Sequence, residues 1–224
     1  MKLLALDTSS DACSCALQID DQILSFEEIA PRRHADLILE MIDRLFVESG
    51  VSPTELDAIA FGCGPGSFTG IRIATGVTQG IAFGLQIPVI PISTLATLAQ
   101  GAFHKNPDCN HVLVAIDARM SEVYWAKYQL NQNLMQLIDE EIVCKPEMLP
   151  LYKDQQYHGV GCGWKTYHDV LKNRFENVLL EIIEEPYPFA KNMLPLAKKV
   201  FEEQRYVNAE QALPTYLRNQ VTFN

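Results

Sequence analysis

The sequence predicts an α/β protein of two duplicated lobes, each a mixed sheet flanked by helices. Three observations carry that expectation. In the first hundred or so residues, short strand-like runs and longer helical stretches follow the order β-β-β-α-β-α-β-α. The string Leu4-Ala5-Leu6-Asp7 returns as Val114-Ala115-Ile116-Asp117, an offset of 110 (114 − 4), and at that offset Cys13, Cys15 and Ala16 meet Val123, Trp125 and Ala126. A hydrophobic content of 48% over 224 residues is ample for a core in each lobe.

Residues 3–7, 13–19 and 23–28 read as short strands, separated by polar turns at Ser9-Ser10-Asp11 and Asp20-Asp21. Residues 34–49 read as a helix. Ser52-Pro53-Thr54-Glu55 places a capping serine, proline at N1 and glutamate at N3, so a short helical turn begins there. The apolar run 56–61 reads as a buried strand and 68–85 as a long helix. Between them, Gly62-Cys63-Gly64-Pro65-Gly66 makes a tight turn, with Ser67 or Thr69 holding the helix N-terminus. Free N–H groups there would form a cup for an anion; the plainer reading is a sharp turn. Residues 88–92 form a strand and Ser93 opens the next helix. The pattern breaks at Lys105-Asn106-Pro107-Asp108, the expected linker, which divides the chain into lobes 1–104 and 105–224. About the last ten residues are expected to pack back on the first lobe. In the second lobe 112–117, 122–129 and 134–143 read as strands. Helical stretches near 146–153, 163–173 and 188–204 then alternate with strands near 156–160 and 177–182.

The repeated β-strand, aspartate, polar turn, β-strand unit is the pattern of the actin-like ATPase fold, in which two strand-end turns hold nucleotide phosphates across a cleft. Here those turns are Asp7-Thr8-Ser9 and the one after Asp117. The two aspartates can be read as orienting groups around a phosphate, or as each capping its own turn; the second reading is preferred.

The formal net charge is −10, with 6 basic against 13 acidic residues in 1–110 and 12 against 15 in 111–224. Neither half has the clustered lysine and arginine that phosphate contacts need, so any work on RNA calls for a partner's grip. No apolar run approaches the ~20 residues that span a bilayer, and Asp7 interrupts what would be the apolar stretch of a signal peptide. A cytoplasmic protein with free thiols is expected. None of the six cysteines forms a C-x-x-C pair, and Cys13 and Cys15 fall on one face of a strand. His104, Asp108, Cys109 and His111 match no zinc spacing and read as a solvated linker. Gly66-Ser67-Phe68 is not the nucleophile elbow of a serine hydrolase. No His-x-x-x-His occurs, which excludes a zincin-type metallopeptidase.

Several strings together resemble the TsaB (YeaZ) family. They are Leu4-Ala5-Leu6-Asp7-Thr8-Ser9, Arg33-His34, Gly64-Pro65-Gly66-Ser67-Phe68-Thr69-Gly70-Ile71-Arg72-Ile73, and Gly84-Leu85-Gln86-Ile87-Pro88. Asp117-Ala118-Arg119 with Glu122-Val123-Tyr124, and Pro214-Thr215-Tyr216-Leu217-Arg218, carry it into the second half. The resemblance implies an actin-like fold and a non-catalytic scaffold or activator, without cofactor. Such a subunit serves a TsaD-type enzyme that makes N6-threonylcarbamoyladenosine in tRNA beside the anticodon. It also implies contact with a TsaE-type ATPase through the complex, tRNA contact only through the complex, and a homodimer when alone. TsaD-type enzymes bind their metal through V-x-H-x-x-x-H; in the comparable stretch here Thr94 and Leu98 stand where the histidines would be, and neither is a comparable ligand. The alternative is an autonomous actin-like ATPase or small-molecule kinase using Asp7, Thr8, Ser9 and Asp117; the third reading is a plain structural homodimer.

Two helices carry the expected partner surface. In 34–49 the apolar positions, among them Leu37, Ile38, Met41 and Leu45, fill an arc of roughly 200°, where a surface helix needs about 100°. His34 opens that helix as a cap or interface residue. In 68–85, Gly76, Gly80 and Gly84 recur once per turn, each costing about 1 kcal/mol against alanine. Such a stripe suits close approach of another backbone, with Ile73, Val77 and Ile81 beside it. The rival reading packs both faces inside their own lobe.

Overall fold

The structure, a computed structural model, describes residues 1–153 and 155–218. The chain forms two compact units, Met1–Thr97 with Pro188–Pro214, and Leu98–Tyr187 with the segment from Thr215.

The first unit is built on a five-stranded sheet in the order β3-β2-β1-β4-β5. Strands β1 (Lys2–Asp7), β2 (Ala12–Ile19) and β3 (Gln22–Ile29) form an antiparallel meander. Strands β4 (Ala58–Gly64) and β5 (Val89–Ser93) continue the sheet in parallel with β1. Alternation along each strand sends its residues to two faces. Leu4, Leu6, Cys13, Cys15, Leu17, Ile59 and Phe61 meet the helices α1 (His34–Ser49) and α2 (Phe68–Leu85). Leu3, Ala5, Ala16, Ala58, Ala60, Ile90 and Ile92 meet α6 (Ala190–Glu202). The helix boundaries follow their signals. Gly50 ends α1 in the left-handed region at φ 68°, Ser67 caps α2 by accepting from Gly70 N–H, and the Ser52–Glu55 capping box closes on both sides.

The second unit has six strands, β6 (His111–Arg119), β7 (Glu122–Asn131), β8 (Leu134–Leu137), β9 (Ile142–Cys144), β10 (Tyr157–Val160) and β11 (Leu179–Ile183). Their order is β11-β10-β6-β7-β8, with β9 also on β7. Trp125, Trp164 and Phe175 centre its core, the Trp125 and Phe175 rings stacked at 5.0 Å. Helices α4 (Gly163–Thr166) and α5 (His168–Phe175) cover it. The order and directions repeat those of the first sheet strand for strand: β6, β7, β8, β10 and β11 stand where β1, β2, β3, β4 and β5 do. Both β4 and the turn after β10 end on a positive-φ glycine, Gly64 at 111° and Gly161 at 100°.

Five expectations are corrected. The lobes do not divide at 104/105: α6 buries Ala190, Met193, Leu194 and Ala197 against the first sheet, so a segment late in sequence completes the early lobe. The segment that returns is Pro188–Pro214; residues 215–218 group with the second unit, and 219–224 lie outside the described residues. The expected strand 134–143 is two, broken by Asp139-Glu140-Glu141, where Asp139 pairs with Lys127 at 3.0 Å and Glu141 accepts from Tyr128 at 2.7 Å. The expected helix near 146–153 shrinks to a 3-10 turn, Pro146–Met148. The linker is the end of α3 (Thr94–Lys105) and a tight turn into β6.

Candidate functional site

The glycine-rich loop between β4 and α2 lies directly on the β1–β2 turn. A Cβ at Gly62 would stand 1.8 Å from Asp7 Oδ2, at Gly66 2.5 Å from the Ser9 carbonyl, and at Gly70 1.9 Å from the Thr8 carbonyl. Only glycine permits that approach. Hydrogen bonds lock it. Ser67 N–H donates to Ser9 O at 2.7 Å, the Thr8 hydroxyl donates to Gly70 O at 2.7 Å, and the Thr94 hydroxyl donates to Pro65 O. The proposed anion cup is therefore filled by the chain's own turn.

Asp7, Thr8 and Ser9 are all buried. Asp7 Oδ1 accepts from Ser9 N–H and Ser9 Oγ–H, each at 2.8 Å, while Oδ2 has no hydrogen-bond partner among the described residues. Burial pushes the Asp7 carboxyl up to about 7 against the opposing pull of the Ser9 hydrogen bonds. Asp7 and Ser9 bond each other within the turn, and the Thr8 hydroxyl and the Ser9 carbonyl bond the glycine loop. Thr94 and Leu98 are both fully buried.

Asp117 also caps its own turn. Its Oδ1 accepts from Arg119 N–H at 2.9 Å and from the Tyr167 hydroxyl at 2.9 Å, and Oδ2 pairs with the Arg119 guanidinium at 3.0 Å. The single Tyr167 hydroxyl proton is shared between Asp117 Oδ1 and Glu122 O, the latter at 3.0 Å, and burial with the Asp117 contact pushes the hydroxyl up to about 12. The turn itself holds Arg119, Met120 and Ser121 all at positive φ, 63°, 55° and 59°. Arg218 braces it from Ala118 O and the Glu122 carboxylate. The string containing Arg218 was a sequence signal; nothing in the sequence pointed to Tyr167. The glycines of Gly159-Val160-Gly161-Cys162-Gly163 are explained by packing. A Cβ at Gly159 would lie 2.6 Å from the Trp164 ring, and at Gly161 and Gly163 2.4 and 2.8 Å from the Ala115 backbone.

The two halves of the expected partner surface separate. Leu37, Ile38, Met41 and Leu45 are buried in the first unit's own core, and His34 is buried with Nε2 unpartnered among the described residues. Their wide apolar arc is consumed by β2, β3 and α2, so that half is corrected; Leu39 at 56% and Val47 at 73% are what α1 leaves exposed. On α2 the reverse holds. Ile73, Val77 and Ile81 are half-buried on the core, but Gly76, Gly80 and Gly84 are exposed, and a Cβ at any of them meets nothing within 4 Å. Phe83, 68% exposed, shares their face, and Phe68 continues the ridge with the Arg72 guanidinium 3.6 Å over its ring. The glycines are not filling a tight internal contact.

Comparison with known proteins places this geometry. A family model described as "TsaD: tRNA N6-adenosine threonylcarbamoyltransferase" matches residues 26–222. The Escherichia coli (strain K12) protein named "tRNA threonylcarbamoyladenosine biosynthesis protein TsaB" is 44% identical, covering 100% of this chain and 97% of its own. The chain belongs to the TsaB family. A Haemophilus influenzae protein of the same name is 39% identical over 100% of this chain and 96% of its own. A solved structure called YeaZ, from Pseudomonas aeruginosa, superposes with TM-score 0.87 at 44% identity, covering 96% of this chain and 99% of that one. A second, described as an uncharacterized Pseudomonas aeruginosa protein with similarity to peptidase YEAZ, reaches TM-score 0.90 at 45% identity, covering 97% and 99%. The fold is actin-like, as the duplicated topology implied. Among the described residues no group of three or more His, Cys, Asp or Glu could hold a metal ion, and no helix is long and apolar enough to cross a membrane.

Proposed function

We propose that the chain is a non-catalytic subunit that binds and supports a TsaD-type catalytic subunit in the threonylcarbamoyladenosine modification of tRNA. The observation that carries this reading is the open glycine face of α2. Three glycines, one per turn, forgo helix stability on an exposed surface where no contact among the described residues requires them. A partner helix lying close along that face gives them a purpose, with Phe83 and Phe68 as apolar anchors beside it. The same face serves the homodimer of the free chain and gives way to the catalytic partner. A TsaE-type ATPase and tRNA join through that complex, since the net charge of −10 opposes direct phosphate contact.

The test is reconstitution. Light scattering of the purified chain with and without a TsaD-type subunit should show a dimer replaced by a heterodimer, and tRNA modification by that subunit should depend on the chain. A ternary species with the homodimer intact, or modification that proceeds equally without the chain, overturns the proposal. The alternative ATPase or kinase reading predicts ATP turnover by the isolated chain that Asp7→Ala abolishes; the proposed reading expects no such turnover.

A further inference from the structure

Asp7 has half of its carboxylate satisfied and half facing carbon. Oδ1 takes both Ser9 hydrogen bonds, while Oδ2 is fully buried against the Cα of Gly62, with the Thr94 methyl next to it. The groups around it are neutral. On β2 the residue opposite is Ser14, whose hydroxyl accepts from Ala190 N–H at the start of α6; the next thiol along, Cys13, is pushed up to about 12, by burial first and then by the Asp7 charge. The loop brings Cys63, buried, as its one titratable residue; α3 brings Thr94; and Asp11, the other acid of the β1–β2 turn, is exposed. No charged side chain of the described residues contributes to the titration of Asp7. An anion here would sit in carbon surroundings with one oxygen unsolvated, which is among the costliest arrangements a fold can hold.

The loop that buries Oδ2 is the one that enters α2. Gly62, Gly66 and Gly70 contact Asp7, Ser9 and Thr8 in turn, so the loop and the first turn of α2 rest on the β1–β2 turn as one seated piece. We propose that Asp7 is a proton-controlled pin: with the carboxyl neutral the 62–70 loop stays seated, and release of the proton to water frees the loop and the first turn of α2. The ionised carboxylate regains water only if Gly62 moves away from Oδ2, because no side chain of the loop can swing aside in its place. The device concerns the chain alone and does not depend on the partner reading.

Hydrogen exchange on the full chain tests it. Between about pH 5.5 and about pH 8.5, after correction for intrinsic exchange, amides of 62–72 should exchange roughly tenfold faster or more at the higher pH, while 156–163 in the second unit should not change. Asp7→Asn keeps an oxygen for Ser9 and carries no charge, so it should hold the loop protected at both pH values. Loop protection that is independent of pH in the wild type, or that keeps its pH dependence in Asp7→Asn, overturns the proposal. Should that variant not fold, carbon-detected NMR titration of the wild-type Asp7 carboxyl decides. A midpoint near neutrality supports the pin, and one near the ordinary value of about 4 overturns it.

Discussion

Replacing Gly80 by leucine sets two free energies in opposite directions, and the structure assigns their signs. Among the described residues a Cβ at Gly80 meets nothing within 4 Å, so no contact there resists the new side chain. The position lies in the interior of α2, eighteen residues from Phe68 to Leu85, where glycine is about 1 kcal/mol worse than alanine and leucine is close to alanine. The free monomer should therefore gain roughly 0.8 kcal/mol, or about 2–3 °C in Tm for a chain of this size. At the proposed interface the same side chain stands where a partner backbone must approach. Overpacking of that kind costs about 1–3 kcal/mol, which weakens association roughly ten- to hundredfold. Melting by circular dichroism in a dilute, monomeric sample reads the first effect, and titration calorimetry with the TsaD-type subunit reads the second. A lowered monomer Tm would refute the open-face geometry. A raised Tm with unchanged affinity would refute α2 as the contact.

Gly70→Ala should do the reverse of Gly80→Leu within the monomer: its Cβ would lie 1.9 Å from the Thr8 carbonyl, so the fold should lose about 1–3 kcal/mol or more by chemical denaturation, while Gly76→Ala gains about 1. The Asp7 carboxyl, at about 7 in the fold against 3.8 unfolded, binds more protons folded than unfolded between those values. Its contribution to stability is thus full at low pH and declines from about pH 4 to about pH 7, by roughly 4 kcal/mol in total, and Asp7→Asn should remove that decline from urea-derived stabilities. Isolated chain should show no tight, salt-sensitive tRNA binding in a filter assay, because no lysine–arginine cluster offsets the −10 charge.

The sequence carried the elements whose signals are local. Ser52–Glu55 and Ser67 mark helix ends through side chains that bond within a turn, and both appear in the structure as caps. The offset of 110 carried the repeat, which the two sheets share in order and direction. What the sequence could not carry was which surface answers which apolar stripe. The stripe of 188–204 is as apolar for one lobe as for the other, and only the bare face made by Leu3, Ala5 and Ala58 decides. Glycine spacing was equally silent on crowding. Gly62, Gly66 and Gly70 recur at four residues as Gly76, Gly80 and Gly84 do, yet the first three are pressed against backbone and Asp7 and the second three face open space. The wide arc of α1 pointed to an extra contact, and the extra contact is its own core, through Leu37, Ile38, Met41 and Leu45.

The return of α6 to the first sheet has a consequence for the order in which the protein is made. Residues 2–93 supply every strand of that sheet, but one of its faces stays bare until residues 190–202 leave the ribosome. At synthesis rates of about 5–20 residues per second, the 97 residues from Ser93 to Ala190 (190 − 93) take roughly 5–20 s. Through that interval a sheet surface of Leu3, Ala5, Ala16, Ala60 and Ile92 is exposed on the nascent chain, and the second unit can complete its own strands first. The early half is therefore finished last, and a chain cut short before residue 190 leaves it open.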